Sequence, residues 1–135
     1  ELSVCVFETE GEIIVFPILE AKFDAEFFNK EVRMKPNGYV NEVPARVSKL
    51  VKNQIRNIAI LTYKSMFADS YLRLDIRLER STNIPYVIEV TTLPGLTEKS
   101  WLPTMSQNYG YTFDDLVVRT LLSAFEHKYG IKDKS

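Results

Sequence analysis

The chain opens on an alternation. Leu2, Val4 and Val6 fall on one side, and Ser3, Cys5 and Phe7 on the other, with the period of two that a pleated strand imposes. Ile13 to Leu19 is a second apolar run. Thr9-Glu10-Gly11-Glu12 between them has turn chemistry, so the pair predicts a hairpin. Pro17 cannot donate to a strand ladder and predicts an edge position or a bulge. From Phe23 to Met34 no period holds. Phe27 and Phe28 precede a mostly polar stretch, and Lys35-Pro36-Asn37-Gly38 is a turn signal. This segment predicts a loop bounded by short extended pieces.

The period changes after Pro44, a residue suited to a helix's first position. Val47, Leu50, Val51, Gln54, Ile55, Ile58, Ala59, Thr62 and Met66 recur at three- and four-residue steps, predicting an amphipathic helix that ends near Phe67. Lys49, Lys52, Asn53 and Arg56 fall on its outer face. Alternation returns from Ser70 to Leu78, with Tyr71, Arg73, Asp75 and Arg77 set against Leu72, Leu74, Ile76 and Leu78. Ser81-Thr82-Asn83 is a turn, and Pro85 to Thr91 is the returning strand. Leu93-Pro94-Gly95 ends it, and a polar loop leads to Trp101. Pro103 to Asn108 predicts a short helix closed by Gly110. Thr112-Phe113-Asp114-Asp115 resembles a capping box at the start of a last helix, which Gly130 ends. The tail 131–135 is expected to fray. Short turns join the strand pairs, so the fold class expected is α+β: a largely antiparallel sheet with helices packed on one face.

Composition narrows the function. The chain has 135 residues, one domain's length, and 45% of them are apolar, enough for a core without staples. Its formal net charge of −1 argues against a dedicated nucleic-acid binder. No apolar run reaches the length of a membrane span. Cys5 is the only cysteine and His127 the only histidine, which excludes an internal disulfide and a cysteine- or histidine-based metal centre. Any metal is therefore expected to be a hard, oxygen-ligated one such as Mg²⁺. A cytoplasmic location is the default reading. Cys5 is expected to pack as a small apolar residue, Trp101 to pack, and His127 to favour the dipole at its helix end. The chain opens on Glu1 and runs straight into a strand, so a fragment of a longer protein is expected.

The hairpin Tyr71 to Thr91 carries the chemistry. Arg73 and Asp75 share a face of one strand, and Glu89 and Thr91 share a face of the next. Antiparallel pairing can set Asp75 beside Glu89. Two adjacent carboxylates repel, and a cation between them removes that cost. Mg²⁺ takes one or two protein carboxylates and completes its octahedron with water and phosphate oxygens. The pair therefore reads either as a site for a metal–nucleotide or, more simply, as Asp75 paired with Arg73 or Arg77 on a solvated sheet face.

Arg73-Leu74-Asp75, followed by Glu89-Val90-Thr91-Thr92-Leu93-Pro94-Gly95-Leu96-Thr97-Glu98-Lys99-Ser100, resembles the C-terminal signature of the D-alanine–D-alanine ligase family of ATP-grasp enzymes: R-x-D, then E-x-N-T-x-P-G-M-T-x-x-S. Pro103, Gly110 and Leu116-Val117-Val118 also sit where that family has them. The opening Glu1-Leu2-Ser3-Val4 is similar to the family's strand that begins with a nucleotide-binding glutamate. The resemblance implies the C-terminal half of an ATP-grasp fold, residues 1–135 forming one catalytic lobe. It implies Asp75, Glu89 and Thr91 as ligands of Mg²⁺ (or Mn²⁺), and Arg73 with the Gly95 N–H as stabilisers of a tetrahedral oxyanion. Ser100 would hold the second substrate's carboxylate, Glu1 the nucleotide ribose, Arg33 the γ-phosphate end and Ile88 the adenine. It further implies ATP and D-amino acids as substrates, N-terminal domains of the same protein as partners, and a homodimer.

Two departures from the family pattern stand out. Thr91 occupies the position of a metal-binding asparagine, and Arg33 to Val43 fits the family's substrate-covering loop poorly. D-alanine, D-serine and D-lactate all stay open as second substrate. A ligase of other specificity and a non-catalytic ATP-grasp binding module are the alternatives. The family's glycine-rich phosphate loop and ATP-binding lysines are expected upstream of Glu1, so this chain alone is expected not to turn over ATP.

Overall fold

A computed structural model describes residues 1–130. The expectation for the tail 131–135 lies outside the described residues. At the centre is β1 (Leu2–Thr9), whose residues 2–7 are buried on both faces. Gly11 (φ +76°) follows Glu10 (φ +53°), and two consecutive positive φ values make the tight hairpin turn into β2 (Glu12–Val15). Thr9 lies opposite Glu12 and Val6 opposite Val15. The apolar run then breaks at Phe16-Pro17. Beyond it β3 (Leu19–Phe23) rejoins the other end of β1, with Ser3 opposite Leu19. The expected single second strand is thus two short ones, because Pro17 removes a donor from the ladder.

The segment expected to be a loop also contains regular structure. After β3 comes α1 (Lys30–Met34), a short helix started by Asn29, whose side chain accepts from the Val32 N–H at 2.9 Å. Then β4 (Tyr39–Glu42) pairs antiparallel with β3. Val43–Pro44 is a cis bond, and the Ala45 N–H bonds to the Ile18 carbonyl at 2.7 Å. Pro44 lies before the long helix rather than at its first position. That helix, α2, runs Lys49–Ser65, and Ser48 starts it by accepting from the Val51 N–H at 3.3 Å. Its buried stripe is Val51, Ile55, Ala59 and Tyr63, whereas Leu50, expected inside, is exposed.

The second hairpin is β5 (Tyr71–Leu78) with β6 (Pro85–Thr91). β5 also pairs along β1, giving the sheet order β4-β3-β1-β5-β6, with β2 on β1 as its sixth strand. Every pairing is antiparallel. Helix α3 (Trp101–Tyr109) closes at Gly110 in a left-handed conformation. Helix α4 (Phe113–Tyr129) opens on the predicted Thr112–Asp115 capping box and closes at Gly130.

The α+β class and antiparallel sheet are as expected, but the helices cover both faces. α2 packs on Leu2, Val4, Val6, Leu72, Leu74 and Ile76. On the opposite face Cys5, Phe7, Phe16 and Leu19 pack with Trp101, Leu102, Met105 and Leu116 of α3 and α4. A strand apolar on both sides needs cover on both. No described helix is long and apolar enough to cross a membrane.

Candidate functional site

Three strands bring six side-chain positions together on the face covered by α3 and α4. Asp75 of β5 lies opposite Ser3 of β1 on one side and Glu89 of β6 on the other. Arg73, two residues earlier, lies opposite Cys5 and Thr91. The register that the alternation predicted is the register observed. It holds up to a bulge just beyond Asp75, where Ile88 has no partner opposite.

The Asp75 side chain is only 6% exposed and Arg73 13%. Arg73 Nε donates to Asp75 Oδ1 at 3.0 Å and Nη2 to Oδ2 at 2.7 Å, a fork-on-fork ion pair. Ser3 Oγ donates to Asp75 Oδ1 at 2.8 Å. Nη2 also reaches Thr91 Oγ1 at 3.4 Å, and the Thr91 hydroxyl donates to Glu89 Oε1 at 3.3 Å. Asp75 thus pairs with Arg73, as one reading had it, though nearly buried rather than on a solvated sheet face, and it lies opposite Glu89. Ser3 was missed as a site residue. Its signal was a hydroxyl inside an otherwise apolar central strand, which burial obliges to find a partner.

The oxygens present fit a hard cation. Asp75 Oδ1 already receives two donors and Oδ2 one, and each carboxylate oxygen has two lone pairs, so Oδ2 keeps capacity. Glu89, exposed on the edge strand, adds a carboxylate, and Thr91 adds a hydroxyl. Among the described residues no group of three or more His, Cys, Asp or Glu is placed to hold a metal. A cation here would complete its shell with water and phosphate oxygens, as Mg²⁺ does.

The loop after β6 brings Gly95 against Ser100. A Cβ on Gly95 would lie 2.7 Å from Ser100 Oγ and 3.3 Å from Ser100 Cβ. Ser100 is the N-cap residue of α3, yet its hydroxyl caps no backbone N–H and instead meets Thr97 Oγ1 at 2.8 Å. The residue after it, Trp101, carries Arg73 over its ring at 5.3 Å and Arg33 of α1 at 5.7 Å. Arg33 also stands 5.5 Å from the Phe28 ring. Packing, expected of Trp101, is thus only part of its role.

Glu1 stands apart from this group. Its side chain is 9% exposed, and its carboxylate pairs with Arg77 Nη1 at 3.2 Å. The two line a cavity of about 340 Å³ with Glu20, Lys22, Glu26 and Arg80. Arg77, one of the two partners expected for Asp75, pairs with Glu1 instead. Ile88 is 55% exposed and does not line that cavity. Burial pushes the Cys5 thiol far up, against a smaller downward pull from Arg73, so it packs as a neutral apolar group as expected. His127 does more than face its helix dipole, because its Nδ1 lies 3.4 Å from Asp69 Oδ1.

The family described as D-ala D-ala ligase C-terminus matches residues 1–122. D-alanine–D-alanine ligase B of Clostridium perfringens is 29% identical over 126 residues, 91% of this chain and 40% of that protein. The D-alanine–D-alanine ligase of Borrelia duttonii is 31% identical, covering 93% of this chain and 34% of its own length. The crystal structure of the Bacillus anthracis D-alanine–D-alanine ligase complexed with ATP superposes with a TM-score of 0.77 at 24% identity, over 96% of this chain and 40% of that one. The last likeness shows a shared fold. The chain spans about two-fifths of the length of the first of these relatives. With a family match over nine-tenths of its residues, the chain belongs to the D-alanine–D-alanine ligase family, as its C-terminal lobe.

Proposed function

We propose that the full-length protein is an ATP-dependent ligase joining two D-amino acids, with D-alanine the first choice for both, in peptidoglycan precursor synthesis in the cytoplasm. The observation that supports this reading is the grouping of Arg73, Asp75, Glu89 and Thr91 on one face of the hairpin, with Gly95 and Ser100 in contact beyond it.

In this reading the first substrate's carboxylate attacks the γ-phosphorus of ATP, and ADP leaves. The amine of the second substrate attacks the acyl phosphate carbon, and as the tetrahedral oxyanion collapses the C–O bond to phosphate breaks and the nitrogen's surplus proton leaves to the departing phosphate or to water. Arg73 and the Gly95 N–H meet that oxyanion, each contributing about 3 kcal/mol. The Ser100 hydroxyl donates to the second substrate's carboxylate. Asp75, Glu89 and Thr91 would hold Mg²⁺ (or Mn²⁺), which would supply positive charge beside the transferring phosphoryl group. Arg33 faces the same phosphate, Glu1 the ribose and Ile88 the adenine. The N-terminal domains supply the remaining phosphate-binding groups, and the full-length protein pairs as a homodimer.

The test is product formation by the full-length protein. With Mg²⁺, ATP and D-alanine, the dipeptide and inorganic phosphate should appear in equal amounts, and Asp75→Asn should lower the rate by about 100-fold or more. D-serine and D-lactate in place of the second D-alanine define specificity. A second reading, a non-catalytic ATP-grasp binding module, is favoured by Thr91, whose hydroxyl is already committed to Glu89. Retained ATP binding with no product from any pair of substrates would select it.

A further inference from the structure

Trp101 is 7% exposed and sits at the first position of α3, directly after Ser100. Its indole is enclosed by aromatic rings: Phe28 stacks at 5.5 Å and 28°, and Tyr39 meets it edge-on at 6.4 Å and 80°. Two guanidiniums from different elements share it, Arg73 at 5.3 Å and Arg33 at 5.7 Å. An aromatic face attracts a cation through its quadrupole, most strongly for indole and where water is excluded. Arg73 is also held along another edge. Its Nε and Nη2 are bound in-plane by Asp75, and among the described residues its Nη1 donates to nothing.

From this geometry we infer that Trp101 is a positioning residue for Arg73. The Asp75 carboxylate fixes the guanidinium along its Nε–Nη2 edge, and the indole fixes the tilt of its plane, so that Nη1 stays turned toward an incoming oxyanion. The same ring docks Arg33, and with it the segment 28–34. Two positive charges on one buried platform suit a substrate with a developing anion and a phosphoryl group within one site. A leucine would keep the position apolar but would hold neither cation, whereas a phenylalanine keeps an aromatic face for them. The role in turnover rests on the ligase reading above. The contact between ring and guanidinium does not.

Two measurements on the full-length protein separate these. In the first, the protein is labelled with 5-fluorotryptophan, and the ¹⁹F resonance of residue 101 is assigned by its loss in Trp101→Phe. That resonance should shift in Arg73→Gln and in Arg33→Gln without any substrate present. In the second, Trp101→Leu should lower kcat about ten-fold with little change in KM for D-alanine, and Trp101→Phe should recover most of the loss. A resonance unmoved by Arg73→Gln overturns the inference. So does a Trp101→Leu enzyme with the parent's kcat, or one in which KM alone rises. In a protein without ligase activity the fluorine resonance alone decides.

Discussion

A single methyl group separates Gly95 from alanine, and the structure shows where it would go. At 2.7 Å from Ser100 Oγ it forces the hydroxyl to turn away, although the loop has room around it. Gly95→Ala should therefore leave the melting temperature of the full-length protein within a degree or two of the parent while raising KM for the second substrate and lowering kcat. Steady-state kinetics beside a thermal melt would check this; a variant that loses stability but keeps its KM would contradict it. At this scale the sequence carried the polar pairs well, since Arg73, Asp75, Glu89 and Thr91 alternate with apolar neighbours and a period of two assigns their face. Ser3 and Trp101 could not be read the same way. Ser3 becomes a partner of Asp75 only through strand pairing across more than seventy residues, and Trp101 meets its cations only once α1 and β5, distant in sequence, are both folded against it.

Among the elements, those with chemical stops were readable and those held by context were not. The capping box of α4 and the glycines closing α3 and α4 lie where the sequence places them. Helix α1 buries no residue, and β3 and β4 are only five and four residues long, so none of the three shows a sustained period. The start of α2 moved from Pro44 to Ser48 because a hydroxyl that accepts a helical N–H defines the end better than a proline that merely tolerates one. The α4 box makes a prediction. Thr112→Ala should destabilise the protein by about 1 kcal/mol, read from denaturant unfolding. The Thr112 hydroxyl and N–H hold the Asp115 carboxyl below its ordinary value. That stability is present above the carboxyl's unfolded-state value and is lost as pH falls through the lower folded one. Asp115→Asn should thus be less stable than the parent near neutrality, and the two should converge on acidification toward pH 3; a gap that persists unchanged in acid would contradict this.

The whole molecule divides its labour between the two faces of one sheet. α2 seals one side with an apolar core, and the other side carries both a second core and the polar group of β5 and β6. The antiparallel class could be read from the short turns. The two-sided covering could not be separated from a one-sided one until β1 was seen buried on both faces, although its apolar residues on both parities were the available signal. The division implies that stability and chemistry can be changed separately. Ile55, fully buried on the α2 side, can be cut to alanine at a cost of about 3 kcal/mol, with kcat of the folded full-length protein unchanged below its melting temperature.

The proposed chemistry depends on Asp75 and Glu89, directly opposite each other across a strand pair, acting together on a divalent ion. Calorimetric titration of the full-length protein with ATP in the presence of Mg²⁺ addresses that most directly, comparing the parent with Asp75→Asn and with Glu89→Gln. Each substitution should weaken Mg²⁺-dependent ATP binding by about ten-fold or more, while binding without Mg²⁺ changes little. Equal Mg²⁺-dependent affinity in all three proteins would contradict the account.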